Sequence, residues 1–107
     1  MFIKEKFKIM KKTILLTHEI STSLQNNEIY EFDLQLQLFK FLENNWGDLC
    51  QEDTELQNSL IKEVDAKLHH KFIGVYKLMK NIKIWIISEY DYTIDTLIIT
   101  VLFPNEY

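Results

Sequence analysis

The chain contains no arginine, one cysteine, one proline and two glycines. Without arginine it lacks the planar guanidinium group that pairs with guanine edges and grips phosphates, which disfavours sequence-specific binding of nucleic acid. Lysine still binds phosphate as a point charge, so electrostatic binding is not excluded. A lone cysteine, Cys50, excludes an internal disulfide and agrees with a reducing compartment.

Long apolar runs are also missing, since none approaches the roughly 18 residues that would span a bilayer. Residues 1–12 are lysine-rich, but lysines interrupt their apolar part and no small-residue cleavage site follows, unlike a signal peptide. We therefore expect a soluble, cytoplasmic protein without a membrane partner. The length predicts one domain, residues 1–107, and because Met10 offers a second start, residues 1–10 are a candidate N-terminal extension.

Charge is segregated along the chain. Residues 1–12 carry net +4, residues 19–65 net −9, residues 66–88 net +5 and residues 89–107 net −4. This pattern predicts one acidic and one basic face if the blocks fold into separate layers. The alternative, that lysines and carboxylates pair across the fold, is equally compatible with the sequence.

Helical spacing of leucine and phenylalanine predicts a first helix over residues 34–45. Asp33 is a candidate N-cap, and the alternating pattern just upstream allows a strand at residues 28–32. Residues 11–17 form a β-branched run that predicts a strand. The polar residues 18–28 predict a loop or a frayed helical turn.

A second helix is predicted over residues 52–65, with Glu52 and Asp53 in its first turn, where carboxylates complement the helix dipole. Its apolar positions recur at helical spacing and are expected to face the core. These inner-face positions are Leu56, Leu60, Ile61 and Val64.

The segment between the two helices is predicted to form a structural corner. Gly47 is expected to supply the left-handed turn that often ends a helix, and Trp46 and Leu49 to pin the corner to the core. Carboxylates surround this corner and form our candidate partner-binding face, although a solvated helix surface is the ordinary explanation of such a cluster. The residues of this acidic face are Asp48, Glu52, Asp53 and Glu55.

Three apolar runs, residues 71–79, 82–88 and 94–103, predict an antiparallel meander, with Asn81 in its first turn and Pro104 ending its last strand. The fold class is therefore α+β: a three- or four-stranded antiparallel sheet with two helices packed on one face. Because the second and third runs are apolar on both faces, we also expect a homodimer.

Catalytic and metal motifs are weak. His18, His69 and His70 lack zinc-site spacing, and Cys50 lies among carboxylates that disfavour a thiolate. We therefore expect no metal, no cofactor and no catalytic residue. The first alternative is a small metal-dependent hydrolase or nuclease that uses Asp48, Glu52 or Asp53.

The second alternative is a nucleic-acid-binding protein. Trp85 is the best candidate for base stacking because it lies between Lys83 and Ile87 on its strand, although burial in the core is favoured. The basic residues available to this function are Lys4, Lys6, Lys8, Lys11, Lys12, Lys67, Lys71 and Lys83.

Two motifs and the chain's ending resemble an uncharacterised family of small bacterial proteins found on plasmids and other mobile elements. The family reads approximately W-G-D-L-x-x-E-D-x-x-x-N, then K-I-W-I-I-T-E-A-D, and ends in T-x-L-L-P-E-E-Y. The matching residues here are Trp46, Gly47, Asp48, Leu49, Glu52 and Asp53, with Asn58 one position beyond the asparagine of the pattern, then residues 83–91 and the ending Pro104, Glu106 and Tyr107. Tyr92 replaces the arginine that usually follows the second motif, and residues are inserted before the final strand.

The resemblance implies no enzymatic activity, because the family has none that could be transferred to this chain. It implies an accessory protein of plasmid or phage origin. Small acidic proteins in that setting are often inhibitors of host defence, such as anti-CRISPR proteins. We therefore expect a non-enzymatic protein whose carboxylates imitate phosphates and bind a host or phage protein with a basic nucleic-acid-binding surface. The net +5 of residues 66–88 is atypical of a dedicated DNA mimic.

Overall fold

The computed structural model describes residues 11–107; the candidate extension, residues 1–10, lies outside the described part. Within it the predicted α+β fold is confirmed. The chain forms β1 (Lys12–Leu16), α1 (His18–Gln25), α2 (Glu31–Leu42), α3 (Gln51–Leu60), α4 (Ala66–His69), β2 (Phe72–Lys77), β3 (Lys83–Asp91) and β4 (Thr96–Leu102). Short 3₁₀ helices cover Met79–Asn81 and Pro104–Glu106.

The four strands form one sheet in the order β1-β4-β3-β2. The predicted antiparallel meander of β2, β3 and β4 is confirmed, and Lys80 and Asn81 take the positive φ angles that its first turn requires. β1 departs from the antiparallel pattern, because it lies parallel to β4. A parallel neighbour needs a long crossover, which the helices and the meander supply.

One face of the sheet is the floor of the core. Strand alternation places Phe72, Ile84, Ile86, Ile99 and Val101 on that face, where each is fully buried. The helices and the corner close the core from above with Ile20, Leu34, Phe41 and Trp46. No helix within residues 11–107 is long and apolar enough to cross a membrane.

The loop predicted at residues 18–28 is largely helix α1. Thr17 caps this helix through its side-chain oxygen, which accepts the Ile20 N–H at 3.3 Å. Ile20 is fully buried and Leu24 packs against the core. Two inward side chains and one cap therefore suffice to hold a short, otherwise polar helix.

The start of α2 corrects two further predictions. The helix begins at Glu31, so residues 28–32 do not form a strand, and Tyr30 occupies the N-cap position. Asp33 lies inside the helix and is buried, with its carboxylate accepting the Met79 N–H at 2.8 Å. This acid therefore ties α2 to the turn between β2 and β3 instead of capping the helix.

Helix α3 ends at Leu60, five residues before the predicted end. A turn follows, and Asp65 takes a left-handed φ of 54°. Leu60 and Ile61 pack against the core as predicted, whereas Leu56 and Val64 are exposed. The prediction for Leu56 is wrong because Gln57, a polar residue, occupies the side of α3 that faces the sheet edge, and the prediction for Val64 is wrong because this residue lies beyond the end of the helix.

Candidate functional site

The corner between α2 and α3 is anchored by Trp46. Its ring is buried and stacks on Phe72, with the ring centroids 5.4 Å apart and the planes 7° from parallel, and it meets Phe41 edge-on. Its indole N–H donates to Oδ1 of Asn58 at 2.9 Å. Leu49 packs against the same core. The predicted pinning of the corner is confirmed, and Asn58 of the first motif acquires a structural role.

Gly47 lets the chain at the corner run alongside strand β2. Val75 donates its N–H to the carbonyl of Trp46 at 3.0 Å, and Asp48 donates its N–H to the carbonyl of Val75 at 2.6 Å. Gly47 has a φ of 68°, and a Cβ there would collide with the Val75 carbonyl. Gly47 does not form the C-terminal turn of α2, as the sequence predicted; Asn44, with a φ of 63°, does.

Tyr76 holds the corner from below. Its hydroxyl donates to the carbonyl of Asn45 at 2.7 Å. Burial raises the pKa of the Tyr76 phenol above its usual range, so the group stays protonated and keeps donating. A Cβ on Gly47 or on Gly74 would collide with this ring, so both glycines leave room for it.

Gln57 closes the outer edge of β2. Its side-chain oxygen accepts the Ile73 N–H and its amide group donates to the Ile73 carbonyl, each at 2.9 Å. The amide thus replaces a neighbouring strand for that residue. Together with the pairing of Gly47 and Val75, it covers this edge of the sheet.

All four carboxylates of the acidic face are exposed. Two of them make local contacts: Cys50 Sγ donates to Asp53 at 3.2 Å, and Gln51 donates to Glu55 at 3.1 Å. Glu52 and Asp53 lie in the first turn of α3, as predicted. Among residues 11–107 no lysine forms an ion pair with these acids, and the one close contact between a histidine and a carboxylate is His70–Glu63 at 2.9 Å.

The basic side chains of β2 and β3 occupy the opposite face of the sheet. Lys77 lies beside Lys83 in register, and Trp85 shares their face because it alternates with buried Ile84 and Ile86. Trp85 is half-buried and meets Tyr107 edge-on, with the ring centroids 5.2 Å apart. Its predicted burial in the core is therefore wrong.

Tyr107 also contacts the side chain of Lys71. The ammonium of Lys71 donates to the Tyr107 hydroxyl at 3.0 Å and lies 5.2 Å from the ring centroid. The hydrogen bond to Tyr107 raises the pKa of Lys71. The C-terminal residue is thus held on the sheet beside Trp85.

A row of exposed aromatic and aliphatic side chains on α2 was missed by the sequence analysis. Phe32, Leu36 and Phe39 are 64%, 50% and 61% exposed, and they follow the i, i+4, i+7 spacing of one helical face. Tyr30 stacks beside Phe32 with the ring centroids 6.0 Å apart. The sequence did contain a sign of this row, because apolar residues alternate over residues 32–38. In the helix this alternation produces two apolar faces, one buried with Leu34 and Phe41 and one exposed. We call Phe32, Leu36 and Phe39 the α2 stripe.

Metal-binding and catalytic arrangements have little geometric support. In the part of the chain that the structure describes, no group of three or more His, Cys, Asp and Glu side chains could hold a metal ion. An open cleft of about 470 Å³ lies at the end of β3 and β4, where Glu89 and Asp91 stand over Ile87 and Ile98. Hydrogen bonds from Thr93 lower the pKa of Asp91, so this carboxylate stays charged.

Comparisons with known proteins gave no match from protein-family models, curated proteins or solved structures. The resemblance to the mobile-element family therefore stays a prediction from the motifs.

Proposed function

We propose that this protein is a non-enzymatic binding module for another protein and that its helical layer is the binding surface. The observation that carries the proposal is the α2 stripe. Three large apolar side chains exposed in a row are uncommon on a soluble monomer and typical of an interface. Their i, i+4, i+7 spacing is the pattern with which a helix enters an apolar groove of its partner.

Charge around the stripe indicates the character of the partner. Glu31 begins α2, Glu28 and Glu43 flank the helix, and all three are exposed; the acidic face follows further along the chain. None of these carboxylates forms an ion pair with a described lysine, although Glu43 lies near enough to Lys67 to act on its charge. A partner with an apolar groove bordered by basic residues would fit both features, and the charge would steer its approach.

The biological context of the proposal rests on the motif resemblance. In a plasmid or phage, a protein of this kind would act on a host or phage protein whose basic surface normally binds nucleic acid. Inhibition of host defence, as by an anti-CRISPR protein, is the function that best joins an acidic surface to that context. The corner would then serve to hold α2 and α3 in place, since its motif residues are largely structural.

The test is capture of a partner from a nuclease-treated host lysate by the tagged protein, measured by quantitative mass spectrometry. The double variant Phe32→Gln/Phe39→Gln should lose the captured protein because it removes the two aromatic anchors of the stripe. Ile94→Gln is the matched control, since it removes an equally exposed apolar side chain from the β3–β4 turn. Equal capture by the double variant and the wild type would refute the proposal.

A second candidate function is supported by the open face of the sheet. Trp85 and Tyr107 offer aromatic rings there, and Lys71, Lys77 and Lys83 lie on the same face. This is the arrangement that single-stranded nucleic acid uses for stacking and phosphate contact. Labelled single-stranded RNA or DNA should then bind at low salt and dissociate as salt rises, and Lys77→Glu/Lys83→Glu should abolish binding.

A further inference from the structure

We propose that β1 is a dimerisation strand: two copies of this chain join their β1 strands antiparallel about a twofold axis at Ile14, forming one eight-stranded sheet. This inference is independent of the proposed function, because it concerns the sheet edge and not the helical layer. It also replaces the reason first given for a homodimer. β3 and β4, whose apolar character suggested one, are the central strands of the sheet.

The two edges of the sheet are treated differently. Gln57 and the corner satisfy the outer edge of β2. No described residue pairs with the outer edge of β1, and the strand contains no proline; its one charge, Lys12, lies at its first residue. Ile14, Leu15 and Leu16 of this strand are 47%, 46% and 38% exposed. An apolar edge without a partner among the described residues is a template for pairing with another strand.

Hydrogen bonds to β4 show which backbone groups of β1 point away from β4. Leu97 donates its N–H to the carbonyl of Lys11 at 2.9 Å, and Thr17 donates its N–H to the carbonyl of Val101 at 3.2 Å. The odd-numbered residues therefore face β4. Since the N–H and C=O of one residue point to the same side of a strand, Lys12, Ile14 and Leu16 direct theirs outward.

A second copy of the chain is the partner that best fits the outer edge of β1. Two β1 strands that run antiparallel can pair the outward N–H groups of one with the outward carbonyls of the other. With the twofold axis at Ile14, this residue pairs with its own copy, and Lys12 pairs with Leu16 in both directions. Every outward N–H and C=O of the strand then finds a partner within β1, whereas an axis at Thr13 or Leu15 would set Leu16 or Lys12 opposite a residue outside the strand. The same register keeps lysine from facing lysine, a pairing that would be destabilising.

The outer edge of β2 is already hydrogen-bonded to other residues of the chain, which explains why such an assembly contains only two copies. Antiparallel β1 pairing uses the same strand of both copies and leaves β2 at each outer end of the joined sheet. Gln57 and Gly47 already occupy those ends. The contact is therefore isologous and closed instead of propagating into a fibre.

The test is sedimentation equilibrium of the full chain over a wide concentration range. We expect a dimer that Ile14→Pro converts to a monomer, because proline removes the N–H at the twofold axis. The fold should survive, since that N–H faces away from β4 and edge strands tolerate proline there. Ile14→Val keeps the N–H and is the matched control, which should remain dimeric. A wild type that is monomeric at every concentration would overturn the proposal.

A second variant keeps the test decisive if Ile14→Pro fails to fold. Ile14→Lys places two ammonium groups opposite each other at the axis and should shift the equilibrium to monomer, most strongly at low salt. A dimer that persists in Ile14→Lys would contradict β1 pairing. A monomeric wild type whose Ile14 amide is nonetheless protected from hydrogen exchange would mean that another segment covers this edge, which also refutes the proposal. Neither result would alter the capture of a partner through the α2 stripe.

Discussion

Both glycines of the chain lie against one side chain, Tyr76. Gly74 precedes it on β2 by two residues, and Gly47 approaches it from the corner. A Cβ atom at either position would clash with the tyrosine ring, so the ring fits only because both residues are glycine. The phenol then reaches the Asn45 carbonyl at the end of the α2 connection. A single tyrosine thus sets the distance between the corner and the sheet.

Gly47→Ala should lower the free energy of unfolding by about 2–4 kcal/mol, because it adds a positive-φ cost to a collision with the Val75 carbonyl. Urea denaturation measures the change. Asn44→Ala is the matched control, since Asn44 has a similar φ but is exposed. It should cost only about 1 kcal/mol. Equal losses in the two variants would show that packing at Gly47 contributes nothing.

Asn58→Ala should destabilise the protein by about 1–2 kcal/mol, because it leaves the indole N–H of a buried Trp46 without an acceptor. Asn58→Asp keeps an acceptor oxygen at the same position and should cost less. Thermal unfolding, followed by the fluorescence of the tryptophans, compares the two variants. If both lose the same stability, the hydrogen bond is not what Asn58 supplies.

The sequence predicted the corner but not its contacts. Trp46 and Leu49 were placed correctly because tryptophan and leucine are among the residue types that are most buried on average. The partner of Trp46, twelve residues away, could not be found, because no helical or strand period relates Trp46 to Asn58. Gly47 was assigned to the wrong turn for a similar reason: its pairing with Val75 depends on the tertiary fold.

At the scale of secondary-structure elements, the two outer strands of the sheet are unequal. β2 is covered by a side-chain amide and by the corner, whereas β1 has no such cover within residues 11–107. The central strands were predictable, since long apolar runs bounded by turn residues form strands reliably. The parallel direction of β1 was not predictable, because strand direction depends on the path of the intervening chain. The five residues of the strand itself carry no pattern that distinguishes parallel from antiparallel pairing.

Gln57→Ala should remove both hydrogen bonds to Ile73 and cost about 1–3 kcal/mol in stability. It should also uncover the edge of β2 and allow species larger than a dimer, which light scattering detects. Gln51→Ala on the same helix is the control, because Gln51 is exposed and bonds only to Glu55. A Gln57→Ala protein that keeps its size and stability would contradict the guarding role.

The lengths of the helices show where periodicity fails as a guide. α1 forms from polar residues because Thr17 caps it and Ile20 anchors it. α3 ends at Leu60 although Ile61 and Val64 continue the apolar spacing, and a turn then leads to Asp65, which precedes α4. In both cases the hydrophobic pattern alone does not give the bounds of the helix.

At the scale of the whole molecule, the helical layer is acidic and the open face of the sheet carries lysines. Lys67 lies near both a positive and a negative side chain, Lys12 and Glu43. Burial lowers its pKa, Lys12 lowers it further, and Glu43 opposes the shift. The folded protein therefore binds this proton less tightly than the unfolded chain does.

Lys67→Met should consequently show a pH-dependent stability difference. Because the folded pKa is depressed below 10.5, the unfavourable contribution of Lys67 is complete at neutral pH and disappears as the lysine deprotonates. The variant should be more stable than the wild type at pH 7, and the difference should shrink as pH rises toward 10.5. Urea unfolding across this range measures it, and a constant difference would contradict the shifted pKa.

The surface that we assign to binding combines apolar and acidic groups in one layer. In the proposed binding mode the α2 stripe would supply contact area and the acidic face would supply electrostatic steering, so the two should be separable by mutation. Loss of the stripe should remove binding at any salt concentration. Loss of the acids should weaken binding most at low salt, where charges act over the longest distance.

The most direct measurement is the amount of partner captured from nuclease-treated host lysate by the wild type and by Glu52→Lys/Asp53→Lys/Glu55→Lys. These acids are exposed and make only local contacts, so the triple variant should keep the fold, with a small loss of stability because lysines replace two carboxylates in the first turn of α3. We predict that the wild type captures one protein in stoichiometric amount and that the variant captures at least about tenfold less at low salt. Capture that is equal for both proteins, or absent for the wild type, would contradict the account of this molecule as an acidic protein-binding module.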